Sequence, residues 1–220
     1  MRQTSSVRTV EAPAAHIPVA WEGDVIVCGG GSAGLMAALA SAELGARTLL
    51  VERHGFLGGA TTASLMFWFT TFTNGDRLVI RGMPYAFVKN SLAVTDDPLT
   101  RRWVQCDTER FKVAAVRELR KRGGGLLLHS WASEVLRAED RVTGAILQNK
   151  SGRVAVLAKT VIDATSDGDL FPSAGVRFGV GTEDGGLLQP MSFLFQMDGV
   201  DPEAFAAFER TERHSSGAHL

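Results

Sequence analysis

Six consecutive residues, Gly29-Gly30-Gly31-Ser32-Ala33-Gly34, fit the spacing G-x-G-x-x-G. An acid, Glu52, follows the glycines at the remove of about 20 residues that goes with this motif. The chemistry such residues can do is hold a diphosphate and a sugar. Gly29 permits a tight turn, and Gly31 lets a pyrophosphate approach the backbone. Gly34 lets a helix pack close to strands. Free N–H groups from Ser32 to Gly34 offer donors to phosphate oxygens, and the helix dipole favours negative charge there. The Glu52 carboxylate can accept both hydroxyls of an adenosine ribose, and it would repel a 2′-phosphate.

These residues need a frame. Residues 24–28, Asp-Val-Ile-Val-Cys, form an apolar run suited to a strand buried on both faces of a parallel sheet. Leu35 to Leu44 is rich in helix formers and stops at Gly45. A second apolar run, Thr48-Leu49-Leu50-Val51, ends at Glu52. A glycine-rich turn in an unrelated α/β protein is the plain alternative. Strand, loop, helix, stop and acid all agree against it. The motif alone does not separate FAD from NAD.

The rest of the chain extends the pattern. A second glycine pair, Gly58-Gly59, precedes Ala60 and Thr61. It suggests backbone approaching more of a ligand, as the ribityl arm of a flavin requires; a plain loop is the rival reading. Residues 63–105 read as irregular, with Asn74-Gly75 a turn and Met83-Pro84 a break. The aromatics there (Phe67, Trp68, Phe69, Phe72, Tyr85, Phe87) read as core ahead of a substrate pocket. Residues 107–122 read as a helix with Asp107 as N-cap, Glu109 in the first turn, and Lys121 and Arg122 in the last. Extended stretches at 126–137, 142–149 and 153–159 look like an antiparallel β-meander. A further strand, Val161-Ile162-Asp163, returns to the sheet and opens into the polar loop that starts at Ala164-Thr165-Ser166. Ligands of open α/β sheets sit at such carboxyl ends, which places this loop beside the first glycine turn.

Composition narrows the class. The 220 residues carry 23 Lys plus Arg against 24 Asp plus Glu, a net charge of −1. That balance argues against a nucleic-acid surface or a polybasic membrane anchor. The most apolar run, Leu65 to Phe69, falls far short of the roughly 20 residues that cross a bilayer. Cys28 and Cys106 make neither a disulfide framework nor a zinc cluster, and no metal site is expected. Residues 1–20 lack a continuous apolar stretch and read as a disordered leader, so the expected setting is the cytoplasm, with the fold beginning near Trp21.

Together these pieces resemble the FAD-dependent oxidoreductases with a glutathione-reductase-like or fumarate-reductase-like FAD fold. The resemblance runs from about Asp24 to Asp201. It rests on the first glycine loop, Glu52-Arg53, the segment Phe56 to Thr61, Asp107-Thr108-Glu109 with Lys112, the meander, Val161 to Thr165, and Gly185 to Met191. It implies an α/β, Rossmann-like FAD/NAD(P)-binding fold: a parallel sheet with an antiparallel β-meander, plus the start of a substrate domain. Residues 21–175 would form the FAD-binding domain, with 61–105 a substrate-side insertion, and 176–220 would begin an incomplete substrate domain. FAD would bind non-covalently. By this resemblance Ser32 and Ala33 meet the pyrophosphate through backbone, and Glu52, followed by Arg53, takes the ribose. Gly59, Ala60 and Thr61 lie near the ribityl chain. Trp131 and Ala132 place backbone against adenine, and Ala164 and Thr165 close over the dinucleotide.

Two departures stand out. The family usually has Gly where this chain has Ser166, and the family's chain is longer, its later segment completing the substrate domain. The expected function is hydride transfer between FAD and a small organic substrate. The rivals are a cofactor-holding module completed by a missing C-terminal half, a second chain or self-association, and an NAD-dependent dehydrogenase. His54, Arg81, Tyr85, Cys106 and His129 are the groups weighed for acid–base work; each has a bland structural reading, and no catalytic residue is assigned.

Overall fold

The computed structural model describes residues 10, 15–70, 72–75, 77–91, 103–182 and 186–215. Most of the expected leader lies outside these residues, as do Gly185 and part of the expected insertion. In chain order the elements are β1 (Val19–Cys28), α1 (Ser32–Glu43), β2 (Thr48–Val51), α2 (Ala60–Ala63), β3 (Trp68–Thr70), β4 (Thr73–Asn74), β5 (Arg77–Leu78) and α3 (Met83–Ser91). They continue with β6 (Trp103–Gln105), α4 (Thr108–Lys121), β7 (Gly125–Leu127), β8 (Trp131–Ala138), β9 (Arg141–Asn149), β10 (Gly152–Asp163), α5 (Phe171–Ala174) and α6 (Pro202–Ser215).

One sheet of six strands carries the fold, in the order β7-β2-β1-β10-β9-β8. β1 runs parallel to β2 and β10, and β2 parallel to β7. β8, β9 and β10 form the antiparallel meander. Register matters most at one edge: Cys28 lies opposite both Val51 and Asp163, and Val51 opposite Leu127. The chain therefore leaves four neighbouring strands at the same level.

Both faces of the parallel strands are buried, which is why β1 and β2 read as continuous apolar runs. Val27 and Leu50 face a core shared with α1 and α4, through Leu35, Leu39, Phe111 and Leu119. Ile26, Cys28, Leu49 and Val51 face the opposite core, with Leu147 and Val156. Helix α4 starts where its cap dictates: Asp107 Oδ1 accepts the backbone N–H groups of Glu109 (2.8 Å) and Arg110 (3.1 Å).

Three expectations are corrected. The stretch 126–137 is two strands, one in the parallel ladder and one in the meander. His129 sits between them with φ of 52°, so it occupies a left-handed turn and not a strand. Secondly, 153–159 and 161–163 are one strand, because pairing with β1 continues through Ala158 and Thr160. Thirdly, residues 63–105 hold short elements. Gly75 turns a hairpin between β4 and β5, β3 pairs with β6, and Pro84 lies in the first turn of α3, where a missing N–H costs nothing. Phe72 and Phe87 are buried in the α1/α4 core, and Phe87 meets the Phe111 ring edge-on at 5.3 Å.

The chain divides into two compact units, Met1–Leu187 and Leu188–Leu220. The second holds α6, whose first turn is capped by Asp201 Oδ1 through the N–H groups of Glu203 and Ala204. Its Met191, Phe193, Phe195 and Met197 are exposed.

Candidate functional site

The shared strand ends open into a cavity of about 410 Å³, within the range of small-molecule sites. The first glycine turn, the second glycine pair and the loop after β10 wall it, together with residues 51–54 and 130–132. Backbone hydrogen bonds fix them to one another. Gly29 N–H donates to the Val51 carbonyl, Gly58 N–H to the Gly30 carbonyl, and Ala164 N–H to the Cys28 carbonyl, each at 2.8 Å.

The glycines divide by cause. A Cβ on Gly29 would strike the Ala164 carbonyl, and one on Gly34 would strike the Gly29 carbonyl. Those two serve internal packing. Gly31 has an ordinary φ of −68°, and a Cβ there would meet only the Gly59 Cα at 3.8 Å. Nothing inside the protein requires glycine at 31. A side chain would project into the cavity, so the bare backbone leaves room for a group that approaches from outside. Helix α1 starts at the next residue, with no side chain capping it. A helix start leaves N–H groups without intrahelical partners, which suits an anion.

Glu52 is 5% exposed and lines the cavity. Its Oε2 accepts the Gly30 N–H at 2.6 Å, and its Oε1 accepts the His54 N–H at 2.8 Å. The carboxylate thus braces both loops. Each oxygen keeps a further lone pair for a ligand hydroxyl. The Glu52 carbonyl also accepts the Ser130 N–H at 3.0 Å, and the His54 carbonyl the His129 N–H at 3.1 Å. These two bonds turn the chain after β7 and set Trp131 and Ala132 on the cavity wall. The Arg53 guanidinium lies 5.4 Å from the centre of the half-exposed Trp131 ring, a cation–π contact.

Asp163 shapes the third wall. Its Oδ1 accepts the N–H (3.0 Å) and hydroxyl (2.7 Å) of Thr165, and its Oδ2 accepts the Leu170 N–H (3.0 Å). Thr165 Oγ1 in turn accepts the Asp169 N–H at 2.9 Å. Sequence reasoning gave Asp163 no such role. The available signal was an Asp followed two residues later by Thr, at a strand end, the pattern of an Asx turn.

The cavity brings together Gly29, Gly31, Glu52, Arg53, Gly59 and Ala60 with Trp131, Ala132, Ala164 and Thr165. Ser32 and Ala33 stand exposed at the start of α1, while Gly34 and Thr61 are buried, and none of these four lines it. Ser130, Ser166 and Asp169 line it without having been singled out as cofactor contacts. Of the groups weighed for acid–base work only His54 reaches the cavity, its ring stacked on Phe56. Arg81 is held by the Leu78 carbonyl, and Tyr85 accepts a hydrogen bond from Lys89. Burial, then the neighbouring Asp163 carboxylate, pushes the Cys28 thiol up to about 12; burial, then Asp107, pushes Cys106 up to about 11. Both thiols stay protonated at neutral pH. Among the described residues no cluster of His, Cys, Asp and Glu could hold a metal ion, and no helix is long and apolar enough to cross a membrane.

The family model described as FAD dependent oxidoreductase matches residues 24–219. The chain belongs to this family. FAD is the cofactor that goes with it, and the bare backbone at Gly31, the uncapped start of α1 and the acid at the end of β2 fit a dinucleotide. This FAD dependent oxidoreductase is 28% identical over 163 residues to the thiamine thiazole synthase of Methanococcus vannielii, a match covering 66% of this chain and 56% of that protein. The chain thus spans about half the length of the curated relative it matches. Among solved structures it is similar to Thermovibrio ammonificans THI4, with a TM-score of 0.56 and 20% identity over 74% of this chain and 66% of that one. It is also similar to a geranylgeranyl bacteriochlorophyll reductase-like protein from Thermoplasma acidophilum, with a TM-score of 0.52 and 20% identity over 71% and 43%. At these identities the structural likeness shows the fold, a mixed α/β dinucleotide-binding architecture.

Proposed function

We propose that this FAD dependent oxidoreductase transfers hydride between a small organic substrate and its flavin. The observation that carries the reading is the cavity at the common strand ends, where the side-chain-free Gly31 and the Glu52 carboxylate line one space. FAD, when bound, supplies the acceptance or donation of hydride. The chain's own residues do the holding. The start of α1, with Ser32 and Ala33, offers N–H groups to the diphosphate. Glu52 accepts from the ribose hydroxyls. Arg53, Trp131 and Ala132 lie against adenine, Gly59 and Ala60 along the ribityl chain, and Ala164 and Thr165 over the dinucleotide.

The test is anaerobic. Protein loaded with FAD is mixed with a panel of small alcohols, hydroxy acids and amines, and the visible absorbance of the oxidised flavin is followed. Bleaching by one substrate class supports the reading. FAD bound tightly but reduced by none of them, while dithionite still reduces it, favours a cofactor-holding module that a second polypeptide completes. The exposed apolar residues from Met191 to Met197 support that rival. A second catalytic reading, thiazole formation, is favoured by the match to thiamine thiazole synthase; detection of a thiazole product without flavin bleaching would select it.

A further inference from the structure

Ser166 stands in the cavity wall with a φ of 79°. That is the left-handed region, which favours glycine and which a side-chain-bearing residue occupies under strain. Among the described residues four besides glycine have positive φ: Leu65, His129, Glu139 and Ser166. Only Ser166 among them lines the cavity. The hydroxyl of this exposed residue has no hydrogen-bond partner among the described residues.

The strain is held in place from both sides. Thr165, just before it, is fixed to Asp163 by N–H and hydroxyl, and Asp169 and Leu170, just after it, are fixed to Thr165 and Asp163. A loop so over-determined can keep a residue in an unfavourable conformation, and such residues cluster at ligand sites. The loop also lies directly on the first glycine turn, since a Cβ on Gly29 would meet the Ala164 carbonyl and, at 3.0 Å, the Thr165 nitrogen. Ser166 follows that contact by one residue. Glycine at 166 would remove the strain.

We propose that Ser166 is a cofactor-binding residue, its hydroxyl donating a hydrogen bond to a diphosphate oxygen of FAD, with the left-handed backbone aiming it there. The inference rests on the FAD site described above. It separates what the strain does for the empty protein from what the hydroxyl does for the ligand, and two substitutions test these apart. Ser166→Gly removes strain and hydroxyl together; Ser166→Ala removes the hydroxyl and keeps the strain. The readouts are the melting temperature of the FAD-free protein and the dissociation constants for FAD and for ADP. Ser166→Gly is expected to raise the melting temperature by about 2–4 °C, in line with relief of strain in a chain of this size. It is expected to weaken FAD and ADP alike by roughly tenfold, the share of one charge-assisted hydrogen bond. Ser166→Ala is expected to weaken both ligands to the same extent with no gain in melting temperature. Unchanged or tighter FAD binding in either variant overturns the proposal. A loss confined to FAD and absent with ADP overturns the diphosphate assignment. Wild-type protein that binds neither ligand would overturn the underlying site itself, an outcome distinct from the other two.

Discussion

Two carboxylates mark the two ends of β2, and they are held in opposite ways. Where β2 begins, Asp24 of β1 accepts the Lys159 ammonium of β10 at 2.8 Å and the backbone N–H of Arg47 at 2.9 Å. The Arg47 guanidinium adds an exposed ion pair. Lys159 above all, then the Arg47 N–H, holds the Asp24 carboxyl down at about 2. Where β2 ends, Glu52 is satisfied by the amides of Gly30 and His54 and faces a cavity. The first acid ties β1 to β10 through Lys159 and to the residue just before β2 through Arg47. The second is anchored by backbone and keeps lone pairs free. An acid tied to backbone at the rim of a cavity is placed to serve a ligand; an acid tied to lysine and arginine on the surface serves the frame.

Substitutions can break this contrast, and the largest effect is expected at Gly31. Gly31→Leu should weaken FAD by on the order of 100-fold or more, because the side chain enters the ligand's space. The melting temperature of the FAD-free protein should hardly move, since a Cβ at 31 meets nothing closer than 3.8 Å. Flavin fluorescence titration and thermal melts check both halves; a large drop in stability with intact binding would show that Gly31 serves packing after all. Glu52→Ala comes next and should lose on both counts. Affinity should fall by roughly tenfold or more, and stability by about 1–3 kcal/mol, because the Gly30 and His54 amides lose their acceptor. Stability loss without a change in affinity would make Glu52 a brace only.

The smallest effect belongs to Asp24→Asn, in the range of exposed ion pairs, with FAD affinity untouched. Its signature is pH. The folded-state value lies near 2, below the ordinary 3.8, so the stabilisation is fully present above 3.8 and is lost as pH falls through about 2. Denaturant melts between pH 5 and 2 should show wild type losing stability that the Asn variant does not. Parallel curves for the two proteins would remove Asp24 from the account.

What was legible in the sequence was local. The first strand, turn, helix and second strand declare themselves through an apolar run, glycines at fixed spacing and helix formers, and Asp107 announces its helix by type and position. What was not legible depends on distant partners. His129 breaks its stretch in two because carbonyls of His54 and Glu52 capture the amides of His129 and Ser130. β10 runs unbroken past the polar Lys159-Thr160 because β1 lies alongside. Ser32 and Ala33 lie outside the cavity lining; motif spacing locates a helix start only to within a turn. The left-handed backbone of Ser166 leaves no trace in residue type.

The common level at which Cys28, Val51, Leu127 and Asp163 finish has a consequence for how the sheet assembles. In a pleated strand a slip of one residue inverts every side chain. Sliding β10 by one position against β1 would swing Asp163 to the wrong face and carry Ala164 and Thr165 out of line with the first turn. A dinucleotide stretched across those ends then works as a gauge. It would seat fully only on a chain whose strands end in register.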